Sequence, residues 1–290
     1  MKVRSWLVAA AAGATLLAGC GSSSTPATGS GATGGSSGTS SAAPTTDAPG
    51  DASALLTAAL GKAGAPGQTA KLAVDAAGQT MAFDMETGTP PKMSGTMSIE
   101  GKELKIVFVD NVMYMGGIPG MDKLPGGKTW LSIDPKGADP MSKALGAAMS
   151  ASMSQVQTAA ADTVAKSTLT DKGTATVDGV QTRHIQMVVP KAVLVEQAKK
   201  ALEAMSGALP KDALKTALDS IDKSFAADST QDYYIDPATS LPVKVTQQTT
   251  VNGKDALMTM KYTWGASVSI VKPDPATVAT FAELMSQAGG

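Results

Sequence analysis

From Met81 to Trp264 the chain returns again and again to strict alternation of apolar and polar residues, broken by two-residue turn signals. Met81, Phe83 and Met85 share a side opposite Asp84 and Glu86. Met93, Met97 and Ile99 oppose Ser94, Thr96, Ser98 and Glu100; Leu104, Ile106 and Phe108 continue the pattern. Asp110-Asn111 marks a turn before Met113, Tyr114 and Met115, and Lys128 to Ile133 reads as another strand. A period of two is the strand signature. Asp178-Gly179 joins strands near 167–177 and 180–189, and Asn252-Gly253 joins Val243–Val251 to Lys254–Trp264. Such dipeptides between alternating runs are strong hairpin signals. Gln231–Ile235 is a further strand, followed by a turn at Asp236–Thr239, and Val268–Val271 is expected as an edge strand.

Helical blocks interrupt these strands. Leu55, Leu56, Ala59 and Leu60 make one side of a short helix over 52–62. Asp139-Pro140 opens a second, as N-cap and first-turn proline, with Met141, Leu145, Met149, Met153, Val156 and Ala160 at spacings of three and four. Val193–Met205 and Pro210–Phe225 are helical by the same period, and Asp274-Pro275 is expected to open a terminal helix carrying Val278, Phe281 and Leu284. Runs of strands separated by helical blocks indicate an α+β fold with an antiparallel sheet, rather than a parallel sheet built from alternating strands and helices.

The N-terminus has a different character. Lys2 and Arg4 precede an uncharged apolar run from Trp6 to Ala18, which ends in Leu17-Ala18-Gly19-Cys20. A short basic segment, an apolar segment and small residues make a secretory signal, and the run is shorter than the roughly 20 residues a membrane span needs. The cysteine directly after Leu-Ala-Gly resembles the lipobox of bacterial lipoproteins. That resemblance implies cleavage after residue 19 and a diacylglyceryl thioether on Cys20. Cys20 is the only cysteine, which leaves no disulfide framework and no cysteine-based metal site. Two acyl chains suffice for stable anchoring, at about 0.8 kcal/mol per buried CH₂.

Residues 21–50 are almost wholly Gly, Ser, Thr, Ala and Pro, with Asp47 the only charge. They read as a flexible tether with an average reach of about 30 Å. The expected organisation is therefore a signal over 1–19, a lipidated cysteine and linker over 20–50, and a folded domain over 51–290, held at the extracytoplasmic face of the cell membrane. Without Lys2 and Arg4, 22 bases stand against 25 acids, a net charge of −3. No basic patch supplies the electrostatic attraction that nucleic acid binding requires.

The chain offers little for catalysis. Its one histidine, His184, alternates with Ile185, Met187 and Val189 and reads as a solvated strand residue. No glycine elbow accompanies a serine. Gly116-Gly117-Ile118-Pro119-Gly120 lacks the Lys-Ser/Thr of a phosphate loop. Asp134, Asp139 and Asp236 each sit beside a proline and read as turn and cap residues. Metal-ligand spacing is absent. The expectation is a protein that is not an enzyme and carries no cofactor.

Several short motifs resemble a known family. They are Tyr233-Tyr234-Ile235-Asp236-Pro237 followed by Leu241-Pro242-Val243-Lys244-Val245, and Lys261-Tyr262-Thr263-Trp264-Gly265 followed by Val268-Ser269-Ile270 and Pro273. Val112-Met113-Tyr114-Met115 with Lys128-Thr129-Trp130, and Gly179-Val180 before Arg183-His184-Ile185, add to them. Together with the lipobox, these are similar to the actinobacterial LppX/LprG-type lipoproteins. The resemblance implies a curved antiparallel half-barrel with helices packed on its concave face, related in shape to the LolA and RseB folds. It also implies a lipid or lipidated glycan held between sheet and helices.

Methionines at even strand spacing, 81/85, 93/97, 113/115 and 258/260, suit a deformable apolar wall as well as an ordinary core. Met97, Ile99, Ile106, Phe108, Met258, Met260 and Tyr262 are the candidate ligand-binding residues. Two functions of different class follow: a lipid or glycolipid carrier, and a closed-core envelope protein that binds another protein as an assembly factor or stress sensor.

Overall fold

A computed structural model describes residues 51–76, 79–99, 101–118, 124–137, 161–204, 211–251 and 253–288. The signal stretch, Cys20, the tether and the helix expected over 141–160 lie outside the described residues.

Helix α1 (Ala52–Ala63) leads into five strands: β1 (Thr69–Ala76), β2 (Gln79–Glu86), β3 (Lys92–Ile99), β4 (Lys102–Val109) and β5 (Val112–Gly116). Strands β6 (Trp130–Ile133), β7 (Thr168–Val177) and β8 (Val180–Val189) follow, then helices α2 (Lys191–Ala204) and α3 (Lys211–Ser224). Strands β9 (Ser229–Asp236), β10 (Leu241–Val251) and β11 (Lys254–Trp264) complete the long hairpins. The short strand β12 (Val278–Thr280) and helix α4 (Phe281–Ala288) come last.

Among the described residues the twelve strands form one open, curved sheet in the order β12-β6-β5-β4-β3-β2-β1-β11-β10-β9-β8-β7. Every pairing is antiparallel except β12 with β6. The expected α+β half-barrel is thus what the chain forms. Two hairpins tighten where the sequence signalled them. Asp110 and Asn111 have φ of 56° and 64°, and Asp178 and Gly179 have 48° and 85°. Positive φ at both central residues matches the right-handed twist of the flanking strands.

Alternation decides which side chains go inside. Leu72, Val74, Ile185, Met187, Val189, Tyr233, Ile235, Val245 and Met260 project from one face and are almost fully buried. They pack with Leu56 and Ala59 of α1, Val193, Leu194 and Val195 of α2, Ile221 of α3, and Phe225. Each such buried large side chain contributes roughly 1.5–3 kcal/mol. Helix α1 starts cleanly because the Asp51 carboxylate accepts a hydrogen bond from the Ser53 amide at 3.0 Å.

The C-terminal region departs from expectation. Val268–Val271 is not a strand. Residues 265–274 instead run as an extended strap across the outer face, away from the helices. Its amide at Ser269 donates to Asp84 at 3.1 Å, and Ser94 Oγ donates to the Ser269 carbonyl at 3.3 Å. Ile270 packs on Val107, Val109 and Tyr114. Nor does Asp274-Pro275 open a helix carrying Val278. Asp274 caps a single 3-10 turn, Val278–Thr280 pairs with β6, and the helix begins at Phe281. The β6 strand itself starts at Trp130, two residues later than expected.

Candidate functional site

Cross-strand register turns the helix-covered face into ordered rows. One runs Leu131–Met115–Ile106–Gly95–Phe83–Leu72–Tyr262. A second runs Ile133–Met113–Phe108–Met93–Met85–Ala70–Trp264. A third runs Met81–Val74–Met260–Val245–Tyr233–Ile185–Asp171.

The expected ligand residues with described side chains lie on this face, in two groups. Met258, Met260 and Tyr262 stand together on β11 within the large core. Met260 is 2% exposed and serves as core, whereas Met258 and Tyr262 are half-buried. Met97, Ile106 and Phe108 lie on β3 and β4, which give no residue to that core among those described. Phe108 is buried, but Met97 and Ile106 are half-buried, as are their neighbours Met93 and Met113. Ile99 ends β3 and pairs in register with Lys102.

Gly95 sits in the middle of the second group. The Phe83 ring lies over it, so a Cβ there would come within 2.0 Å of the ring. The missing side chain makes room for the aromatic one on the next strand.

Polar groups break the apolar face at two places that the alternation did not single out. At its β7–β8 margin Asp171 pairs with Arg183, whose Nε donates at 2.9 Å. Burial pushes the Asp171 carboxyl up, but hydrogen bonds from Arg183 and from the Gly173 amide outweigh it, so the pKa falls below the usual carboxylate value. Deeper in, Gln231 and Gln247 face each other across β9 and β10, between Met187 and Met258. They are 4% and 3% exposed. The Tyr233 hydroxyl donates to Gln231 Oε1 at 2.7 Å, and burial raises the pKa of that phenol. Gln247 Nε2 donates to Ser229 Oγ at 3.4 Å, and Ser229 Oγ donates to the Gln248 carbonyl at 3.0 Å. Among the described residues Gln247 Oε1 has no partner. A buried acceptor left unpaired costs about 1–3 kcal/mol.

The outer face has its own features. His184 is not simply solvated. Its Nε2 lies 2.8 Å from Asp232, its ring stacks on Tyr234 at 4.6 Å, and Lys244 stands over the Tyr234 ring. A groove of about 300 Å³ is lined by Asp84, Ser94, Thr96, Lys105, Val107 and Trp130 among others. Among the described residues no helix is long and apolar enough to cross a membrane, and no three His, Cys, Asp or Glu side chains cluster to hold a metal ion.

No family model and no curated protein matches the chain. Solved structures do. The chain is similar to the lipoprotein LppX of Mycobacterium tuberculosis, at 12% identity and a TM-score of 0.45, over 76% of this chain and 98% of that one. It is similar to LprF of Mycobacterium bovis, at 14% identity and a TM-score of 0.43, over 77% and 96% of the two chains. The MucA/MucB complex of Pseudomonas aeruginosa also matches, at 14% identity and a TM-score of 0.36, over 75% of this chain and 58% of that one. The architecture rests on strand order and register. Each of these matches is at 14% identity or less and a TM-score of 0.45 or less, and is a likeness of fold alone.

Proposed function

We propose that this chain is a membrane-anchored envelope lipoprotein that takes up a lipid or lipidated glycan on the helix-covered face of its sheet. In this reading residues 1–19 are removed, Cys20 carries the lipid anchor, and 20–50 tether the 51–290 domain. The observation that carries it is the strip of half-buried Met93, Met97, Ile106 and Met113 around buried Phe108. Apolar side chains left partly open on the inner face of a curved sheet suit an acyl chain, and Met adapts to chains of different shape. Burial there contributes about 25 cal/mol per Å² of apolar surface. The residues perform no chemical step: they bind, exclude water and release. We assign the protein no enzymatic activity.

The test is native mass spectrometry with lipid extraction on residues 20–290 carrying Cys20→Ala, purified from a related bacterium without detergent. A reproducible bound mass of lipid size, lost in the double variant Met97→Trp/Ile106→Trp, is expected. A clean unbound mass with no uptake of added lipid would overturn the carrier reading in favour of an envelope protein that binds another protein.

A further inference from the structure

Gln247 is an anomaly on the face that holds the apolar core. Its amide oxygen is buried and, among the described residues, unpaired. Turning the amide over does not help, because Nε2 would then lose its Ser229 partner and become the orphan instead. Buried polar atoms are almost always satisfied, and a partner that arrives from outside the chain would satisfy this one. The approach is short. Gln247 pairs in register with Met258, which is half-buried.

We propose that Gln247 marks the polar end of the ligand site, where its amide oxygen accepts a hydrogen bond from a hydroxyl-bearing neutral lipid. This rests on the lipid-carrier reading and deepens it. The chemistry selects the ligand class. A free acceptor asks for a donor, which a hydroxyl supplies. An ionised carboxylate or phosphate would meet an acceptor of like polarity, and Arg183, a base on this face, is already held by Asp171. Burying such a charge unpaired is strongly unfavourable. The geometry agrees. From β10 to β3 is four strand spacings, about 19 Å. That is within reach of a long acyl chain whose head lies at Gln247 and whose tail lies over Met97 and Ile106.

The experiment compares 1-hexadecanol with its methyl ether, two probes that differ in one donor. Each is titrated into residues 20–290 carrying Cys20→Ala, and into the same chain with Gln247→Met, with bound fractions read by native mass spectrometry. The unchanged site should prefer the alcohol by about tenfold, the worth of one buried hydrogen bond. Gln247→Met should bind both probes alike and melt at the same temperature or higher, since it removes an unpaired polar atom. Gln231→Met is the control: its oxygen is already taken by Tyr233, so stability should change and the preference should remain. Binding of both probes without preference in the unchanged site would overturn the assignment and leave the lipid reading standing. So would a preference that survives Gln247→Met. Binding of neither probe would overturn both.

Discussion

At the scale of single residues, charge and glycine tell most. Asp171 and Arg183 form an ion pair at the margin of an apolar face, with side chains 12% and 20% exposed. Replacing Asp171 with Asn should lower stability at pH 7 by about 1 kcal/mol, discounted for partial solvent access. The folded-state pKa of Asp171 is depressed below its ordinary value of 3.8. Its contribution is therefore fully present above that value and is lost as pH falls through the depressed one. Urea midpoints of the two proteins should differ at pH 6 and draw together as pH falls below 3.8; a constant gap would contradict this. Gly95 gives a second test. Gly95→Ala forces the Phe83 ring off its seat, and its Cβ also meets the Ala82 carbonyl at 2.8 Å. Overpacking of this kind costs about 1–3 kcal/mol, which chemical denaturation would register. None of this was legible from alternation. A pattern of period two says which side a residue faces, but not that Asp171 finds Arg183 or that His184 finds Asp232.

At the scale of elements, the hairpins were the most legible part, because their turns depend on two adjacent residues and a twist. The strap was misread for a physical reason. Val268 and Ile270 alternate as they would in an edge strand, but alternation records only that one side is covered. Here the cover is the outer face of β4 and β5, and the strap's hydrogen bonds go to side chains of Asp84 and Ser94. Strand β12 was missed because three residues carry no periodic signal, and its place is set by a distant partner, β6. Two predictions belong here. Ile270→Ala should cost about 1 kcal/mol for a half-buried side chain and should speed amide exchange at Ser269 relative to the hairpins. Gly117 has φ of 72°, and a Cβ there would stand 2.2 Å from the Glu103 carbonyl. Gly117→Ala should destabilise by about 2 kcal/mol or more, with the loss seen as a lower thermal midpoint.

At the scale of the whole molecule, the architecture was expected but the strand order was not. Strand β1 lies beside β11, almost two hundred residues later, so the sheet is closed in sequence through its middle rather than at its edges. Such long-range pairing has no local signature. Parity says which face the described candidate ligand residues share, yet the division between filled core at Met260 and half-open surface at Met97 and Ile106 depends on where helices land. Gly95→Ala joins the two scales: by moving Phe83 beside Ile106 it should weaken uptake of a long-chain lipid several-fold, measured by native mass spectrometry, even where the protein stays folded. Unchanged uptake would remove Gly95 and Phe83 from the binding surface.

The strap has a mechanical consequence. Residues 265–277 connect β11 in the middle of the sheet to β12 at its far edge, passing outside β1 to β5. Ten extended residues and one 3-10 turn reach at most about 41 Å, and seven strand spacings take up about 34 Å. A cord on the outside of an arch lengthens when the arch bends further and slackens when it flattens. The strap therefore acts as a tie that limits tighter curling, and the little slack it has sets how far the sheet can close. It props the hollow side open from behind, with no contact to whatever fills the hollow.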